Sequence, residues 1–535
     1  MPKPPKKQFD GKRRKKAKDD KTKANGFDEV LQADIEQLIK QNRPEQDDSS
    51  SPSPVSLPET FTEIDVTISD ISSTGDGLAL SENKDHVYVV PFTVPGDKVR
   101  VKVVRHFPAL SYSATDFLSV IEAGPTRKDE LIGCKYFSKC SGCQLQMMSY
   151  EDQLAHKRRI VEKAYANFSG LIPELVPAID ETFPSPLQYG YRTKLTPHFA
   201  QPQHKKSEDG EQPQGTNVPA IGFTYKGRRM DLDIEDCPLG TDVVRQGLKS
   251  ERKRVAANIS SYKRGATLLM RESTSRFPKD APTDGSEIKE ISGMVSTPGA
   301  DSGDVIRIER ENYVEEKRCI TDNNATSVEY VDDYVFGNKA GAFFQNNNSI
   351  LSGFTEFIRS HALPAGNDKD PRPIKYLLDA YSGSGLFTIT LSPIFKSSLG
   401  VDVAGDSIIS ARENARANNL PSTGFAAADA AVLFKDVPYP ADQTLLVIDP
   451  PRKGCSEDFL EQLLSFKPRR VVYVSCNVHT QARDVAVMVQ GDESKNVRYE
   501  IESIRGFDFF PQTGHVEGVA ILNRVEFPPK TEESA

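Results

Sequence analysis

The sequence predicts an α/β, Rossmann-like C-terminal unit, preceded by an OB-like β-barrel and a mixed α+β central region rich in cysteine. Three observations carry this. From about Ala340 to Phe527, apolar runs of strand length alternate with helical stretches. Residues 59–123 hold short alternating strands separated by Gly-containing turns. Three of the seven cysteines crowd the start of the segment 124–338.

In chain order, residues 1–58 read as a disordered arm with one short helical stretch near Phe27–Gln41 and a Ser/Pro segment after it. Residues 1–24 carry eleven Lys/Arg against three Asp, a local excess of +8, so the remaining chain stands at −16 under a net charge of −8. A basic arm on an acidic body suits an RNA-handling protein, and equally a solvated tail. The run Lys12-Arg13-Arg14-Lys15-Lys16 suits nuclear localisation or RNA contact. No long apolar run or secretory leader is visible, so a soluble protein of nucleus and/or cytoplasm is expected, with no membrane partner and no obligate protein partner.

In the barrel segment, Glu63–Ile68 alternates, His86–Val90 is a strand, and Lys98–Val104 places Lys98, Arg100 and Lys102 on one face. Such a barrel serves as a nucleic-acid platform or as plain structure. The central segment contains Cys134-x5-Cys140-x2-Cys143 and, further on, Cys237-Pro238. Four thiols suit a structural zinc or an iron–sulfur cluster, and the spacing alone leaves both open.

The C-terminal unit (339–527, before a tail at 528–535) carries the chemistry. Strands are expected at Tyr376–Leu378, Leu399–Val401, Leu445–Ile448 and Val471–Val474, with a helix over Ser407–Asn419. Parallel sheets bind ligands at the carboxyl ends of their strands. There the sequence places Asp379-Ala380-Tyr381-Ser382-Gly383-Ser384-Gly385, Asp402, Asp429 and Asp449. The glycine spacing is not that of a dinucleotide fold and favours a nucleoside-type ligand. An acid at each strand end is the pattern of S-adenosylmethionine enzymes, although a single Asp there also caps helices. Asp449-Pro450-Pro451-Arg452 makes a stiff strand exit. Cys476 follows the next strand as a nucleophile, a buried small hydrophobe or a bystander, and His515 and Glu517, which share a face if they lie on a strand, read as a general base or a surface pair.

Taken together, Phe343-Phe344-Gln345-Asn346-Asn347, the 379–385 loop, Asp449-Pro450-Pro451-Arg452-Lys453-Gly454, Ser475-Cys476-Asn477 and His515-Val516-Glu517 resemble the RNA 5-methyluridine methyltransferase family, over about residues 60–527. The resemblance implies that 59–123 is a TRAM domain. It implies that Gln345, Tyr381, Asp402 and Asp449 contact S-adenosylmethionine, with Asp429 a softer assignment. It makes Cys476 the nucleophile and Glu517 the base. Leu386 departs from the Asn of many members, and Asp402 from the commoner Glu. Iron–sulfur members share the cysteine pattern, which favours a [4Fe-4S] cluster on Cys134, Cys140, Cys143 and Cys237 over zinc and leaves Cys319 and Cys455 as non-ligands.

The implied activity is methylation of uracil C5 in tRNA at the T-loop uridine (U54). The alternatives are an rRNA uracil-5 methyltransferase and an RNA-binding or RNA-folding protein with a vestigial site. Uracil C5 is a poor nucleophile, and thiolate addition at C6 would activate it. A lowered Cys476 pKa is therefore expected.

Overall fold

The computed structural model describes residues 27–43, 57–200, 218–279, 290, 292–294, 305–428, 434 and 437–527. The basic run at 12–16, the Ser/Pro segment, Asp429 and the 528–535 tail lie outside the described residues.

The N-terminal β-unit is a six-stranded sheet ordered 63–67, 98–107, 112–122, 87–90, 77–80, 70–71. Its longest strand alternates as its sequence does: Val99, Val101 and Val103 are fully buried, while Lys98 and Arg100 face solvent. One of the basic face's three charges is paired, because Arg100 Nε meets Asp65 Oδ1 at 2.8 Å on the neighbouring strand.

The expected short helix is present as α1 (Phe27–Asn42), but it is not part of a free arm. Leu31, Ile35 and Leu38, at i, i+4 and i+7, pack on Leu78, Val87 and Val89 of the β-unit. The buried Asp34 carboxylate accepts the Ser73 N–H. The arm reading of 1–58 is corrected for this stretch, because a three-residue apolar stripe found a sheet to cover.

The C-terminal sheet has eight strands: β1 (Asp180–Phe183), β2 (Tyr376–Ala380), β3 (Ser397–Asp402), β4 (Thr423–Ala427), β5 (Thr444–Ile448), β6 (Arg470–Ser475), β7 (Arg498–Phe507) and β8 (Glu517–Val525). Their order is β4-β3-β2-β5-β6-β8-β7-β1. The first five pair in parallel; β8 runs antiparallel to both β6 and β7. Both faces are covered, which is why β5 and β6 read as unbroken apolar runs. Leu378, Leu446, Ile448, Val471 and Tyr473 face one core; Leu377, Leu445, Val447, Val472 and Val474 face the other.

The chain-order boundary at 338/339 does not follow these cores. Helix α2 (Tyr150–Phe168) lies in the central segment, yet its Ile160, Val161 and Ala164 pack in the first core with Val485 and Val489 of a C-terminal helix. Strand β1 comes from the same segment and extends the sheet beside β7. Residues 150–183 therefore pack with the C-terminal unit. The rest of the central segment forms two further four-stranded sheets and a two-stranded ribbon. Among the described residues, no helix is long and apolar enough to cross a membrane.

Candidate active site

The sheet order explains how residues far apart in sequence meet. β2, β5 and β6 are parallel neighbours, so their carboxyl ends form one rim carrying Tyr381, Asp449 and Cys476. β8 runs the other way, so its first residue, Glu517, stands on the same rim. Ser475 pairs with Gly518, which puts the residue after β6 opposite the residue that opens β8.

The charges on this rim act on one another. Burial, with Glu517 and Asp449 close by, pushes the Cys476 thiol up to about 12. The nearby Arg452 guanidinium pulls the other way. The expected lowering is thus corrected for the free protein: a half-buried thiol beside two carboxylates resists ionisation. Burial, then Glu517 and Asp379, holds the Asp449 carboxyl well above its ordinary value. Asp379 is pushed up to about 7 by burial, against hydrogen bonds from Thr388 and with a further upward push from Asp402.

Two turns are locked together beneath the thiol. Asn477 Nδ2 and Thr480 Oγ1 both donate to the Arg452 carbonyl, at 3.0 and 3.2 Å. Asn477 Oδ1 also accepts the His479 N–H, capping the helix Val478–Gln490. Behind the rim, Gln481 Nε2 donates to the carbonyls of Tyr473 and Gly518, tying β6 to β8.

The loop after β2 has space and unused polar atoms. Tyr381 takes a positive φ of 63° and its ring lies 5.4 Å from that of Phe459. Gly383 has φ 54°, and a Cβ there would meet nothing within 4 Å. Asp379 Oδ1 and Ser382 Oγ are buried without a hydrogen-bond partner among the described residues. Unused buried polar atoms of this kind suit a polar ligand. Asp402 closes its far side: Oδ2 accepts the Gly383 N–H at 3.0 Å and Oδ1 the Ala404 N–H at 2.7 Å. Each oxygen keeps a second lone pair for a hydroxyl.

The half-buried Gln345 lies on a separate loop, anchored two residues later where buried Asn347 donates to Ser185 Oγ and the Phe509 carbonyl. His515 is not on a strand, since β8 starts at Glu517. Its Nε2 nevertheless lies 3.7 Å from Glu517 Oε1.

The sequence singled out neither Arg452 nor Asn477 for a role of its own. The available signal was that Arg452 is the first cation after the rigid Asp449-Pro450-Pro451 exit.

Residues 438–525 match the model of the tRNA (Uracil-5-)-methyltransferase family, and residues 59–106 match the TRAM domain. The chain is 44% identical over 470 residues to a tRNA (uracil(54)-C(5))-methyltransferase of Schizosaccharomyces pombe, covering 87% of this chain and 79% of that one. It is 41% identical over 503 residues to the Saccharomyces cerevisiae protein of the same name, covering 90% and 76%.

The chain belongs to the tRNA (uracil-5-)-methyltransferase family.

Its fold is that of a family structure from Pyrococcus abyssi, a tRNA (uracil-54, C5)-methyltransferase in complex with S-adenosyl-L-homocysteine. That structure matches with a TM-score of 0.56 at 22% identity, over 86% of this chain and all of the other.

In this methyltransferase, Cys134, Cys140, Cys143 and Cys237 line a single cavity of about 280 Å³, along with Arg192 and Gln146. Burial is the main cause that raises all four thiols, Cys140 to about 11, and neighbouring thiols of the set add to it at Cys140, Cys143 and Cys237. Among the described residues, no three His, Cys, Asp or Glu side chains are grouped to hold a metal ion.

Proposed function

We propose that this protein methylates C5 of the T-loop uridine 54 of tRNA, using Cys476 as a covalent nucleophile. The observation that carries the reading is the convergence of Cys476, Arg452, Asp449 and Glu517 on one rim of the sheet. The names of the two yeast relatives favour tRNA over rRNA. A vestigial site fits poorly with a complete nucleophile, base and cation set.

Tyr381, Asp402, Asp449 and Gln345 hold S-adenosylmethionine in this reading. When bound, that molecule supplies the electrophilic methyl carbon and a positive charge beside the carboxylates. The Cys476 sulfur adds to uracil C6, and C5 becomes an enolate carbon able to take the methyl group. Glu517 then removes the C5 proton, the C5–C6 double bond re-forms, and the sulfur–C6 bond breaks. Because the free thiol sits high, Arg452 is the protein group that favours the thiolate. The uridine must leave its stack to reach this rim.

The β-unit offers an RNA surface. Phe61 is 65% exposed with Lys102 Nζ 5.9 Å from its ring centroid. Arg105 lies 4.7 Å over Phe107, which stacks on Tyr112. Interleaved aromatic and basic side chains suit bases and phosphates.

The cysteine cavity belongs to the same proposal. Its four thiols come from two segments and line one cavity, and the cysteine pattern shared with iron–sulfur members of the family favours a [4Fe-4S] cluster over zinc. Iron, sulfide and zinc analysis of anaerobically purified protein decides between them. Residence in nucleus and/or cytoplasm rests on the basic run alone.

The test of function is methyl transfer from labelled S-adenosylmethionine to unmodified tRNA and rRNA, with the product mapped. Label at the T-loop uridine supports the reading. Label only in rRNA moves the substrate, and RNA binding without transfer overturns the activity.

A further inference from the structure

The loop between β7 and β8, residues 508–516, delivers Glu517 to the rim, and its apex is held from two other parts of the chain. At that apex Gln512 adopts a left-handed φ of 73°, a conformation that a non-glycine residue keeps only when its surroundings impose it. The Gln512 carbonyl accepts two backbone N–H groups, from Gln144 at 3.0 Å and Leu145 at 3.1 Å, immediately after Cys143. The Gln153 side chain on α2 closes the other side. Its Oε1 accepts the Gln512 N–H at 2.9 Å, and its Nε2 donates to Gln512 Oε1 at 3.1 Å and to the Met148 carbonyl at 3.2 Å. Gln153 is 1% exposed and Gln512 4%.

Neighbouring contacts fix the same loop. Tyr191 donates to the Pro511 carbonyl at 3.0 Å and Lys157 to the Phe510 carbonyl at 2.9 Å. The turn of the β-unit also reaches it: a Cβ on Gly514 would stand 3.2 Å from the Gly75 nitrogen.

A buried polar clasp of this kind specifies one geometry, because each partner left unpaired would carry a desolvation cost. An amide at position 153 supplies one acceptor and two donors in the required order. An ionised carboxylate would face the Gln512 Oε1 with no donor, a protonated one has a single O–H for two acceptors, and a thioether would leave these bonds unmade.

We propose that Gln153 is a positioning residue for the proton-removal step, acting through Gln512 to set where Glu517 stands. The inference rests on the reading of Glu517 as the base. The nucleophile and Arg452 sit on other loops, so the clasp governs release of the methylated base rather than formation of the adduct. Displacement of a base by an ångström costs up to about 100-fold in rate.

The experiment uses full-length Gln153→Glu and Gln153→Met, with Gln512→Ala as a variant that keeps the backbone bonds. Turnover, KM for tRNA and S-adenosylmethionine, the folded fraction and denaturant-stable protein–RNA adduct are measured, with Glu517→Gln alongside. The expected result is a fall in kcat of about 10- to 100-fold, with little change in either KM and build-up of methylated adduct on Cys476. Turnover lost only in proportion to the folded fraction, without adduct, overturns the inference while Glu517→Gln still traps adduct. If Glu517→Gln traps none, the reading of the base fails and takes the inference with it.

Discussion

Asn477 Nδ2 donates to the carbonyl of Arg452 at 3.0 Å, so the turn that carries the nucleophile and the turn that carries Asp449 move as one piece. The same side chain caps the following helix through its oxygen. Asn477→Asp separates the two roles, since an aspartate keeps the cap acceptor and loses the donor. The expected outcome is an intact fold, by circular dichroism and thermal midpoint, with kcat lowered about 10-fold or more by loss of preorganisation. Wild-type turnover in a folded variant would show that the clamp is dispensable.

The raised thiol makes a direct statement about pH. With burial and two carboxylates holding Cys476 up to about 12, its neutral form dominates at pH 7 and the thiolate grows as pH rises. Alkylation of Cys476 in the free enzyme, followed by peptide mass spectrometry, is expected to keep accelerating beyond pH 10. Arg452→Gln removes the one named cation that favours the thiolate and should shift that profile further upward. A plateau near neutral pH in the wild type would contradict the electrostatics described.

Lys157 and Asp508 form an ion pair with both side chains fully buried, at the start of the loop that leads to Glu517. Removing one partner strands the other charge. Lys157→Met is expected to cost about 3–5 kcal/mol, and the double variant with Asp508→Leu to recover much of it. A chemical denaturation series measures both, and a single variant as stable as wild type would sink the point.

The legible parts of the molecule were those in which local sequence and final geometry coincide. The positions of Asp379, Asp402, Asp449 and Cys476 could be read because parallel strands bring the residues at or just past their carboxyl ends to one rim. The TRAM match at 59–106 falls where alternating strands and turns had marked a β-unit. Arg452 escaped because its role depends on Asn477 and Thr480, which lie about 25 residues downstream and hold its turn in place. Helix α2 escaped because periodicity reveals a helix but not the sheet that it covers. The docking of α1 had a visible signal in Leu31, Ile35 and Leu38, which was outweighed by the charged and Ser/Pro composition on either side. The sign of the Cys476 shift could not be read, since it depends on how deeply the thiol and two carboxylates are buried together.

The chemistry turns on the covalent bond between Cys476 and uracil C6. The most direct measurement incubates the enzyme and S-adenosylmethionine with tRNA carrying 5-fluorouridine in the T-loop. Glu517 can remove a proton from C5 but not fluorine, so the adduct cannot resolve. The expected result is a denaturant-stable protein–RNA complex that needs S-adenosylmethionine, maps to the Cys476 peptide and vanishes in Cys476→Ala. Methylation of natural uridine by the same preparation, with no trapped complex, would contradict it.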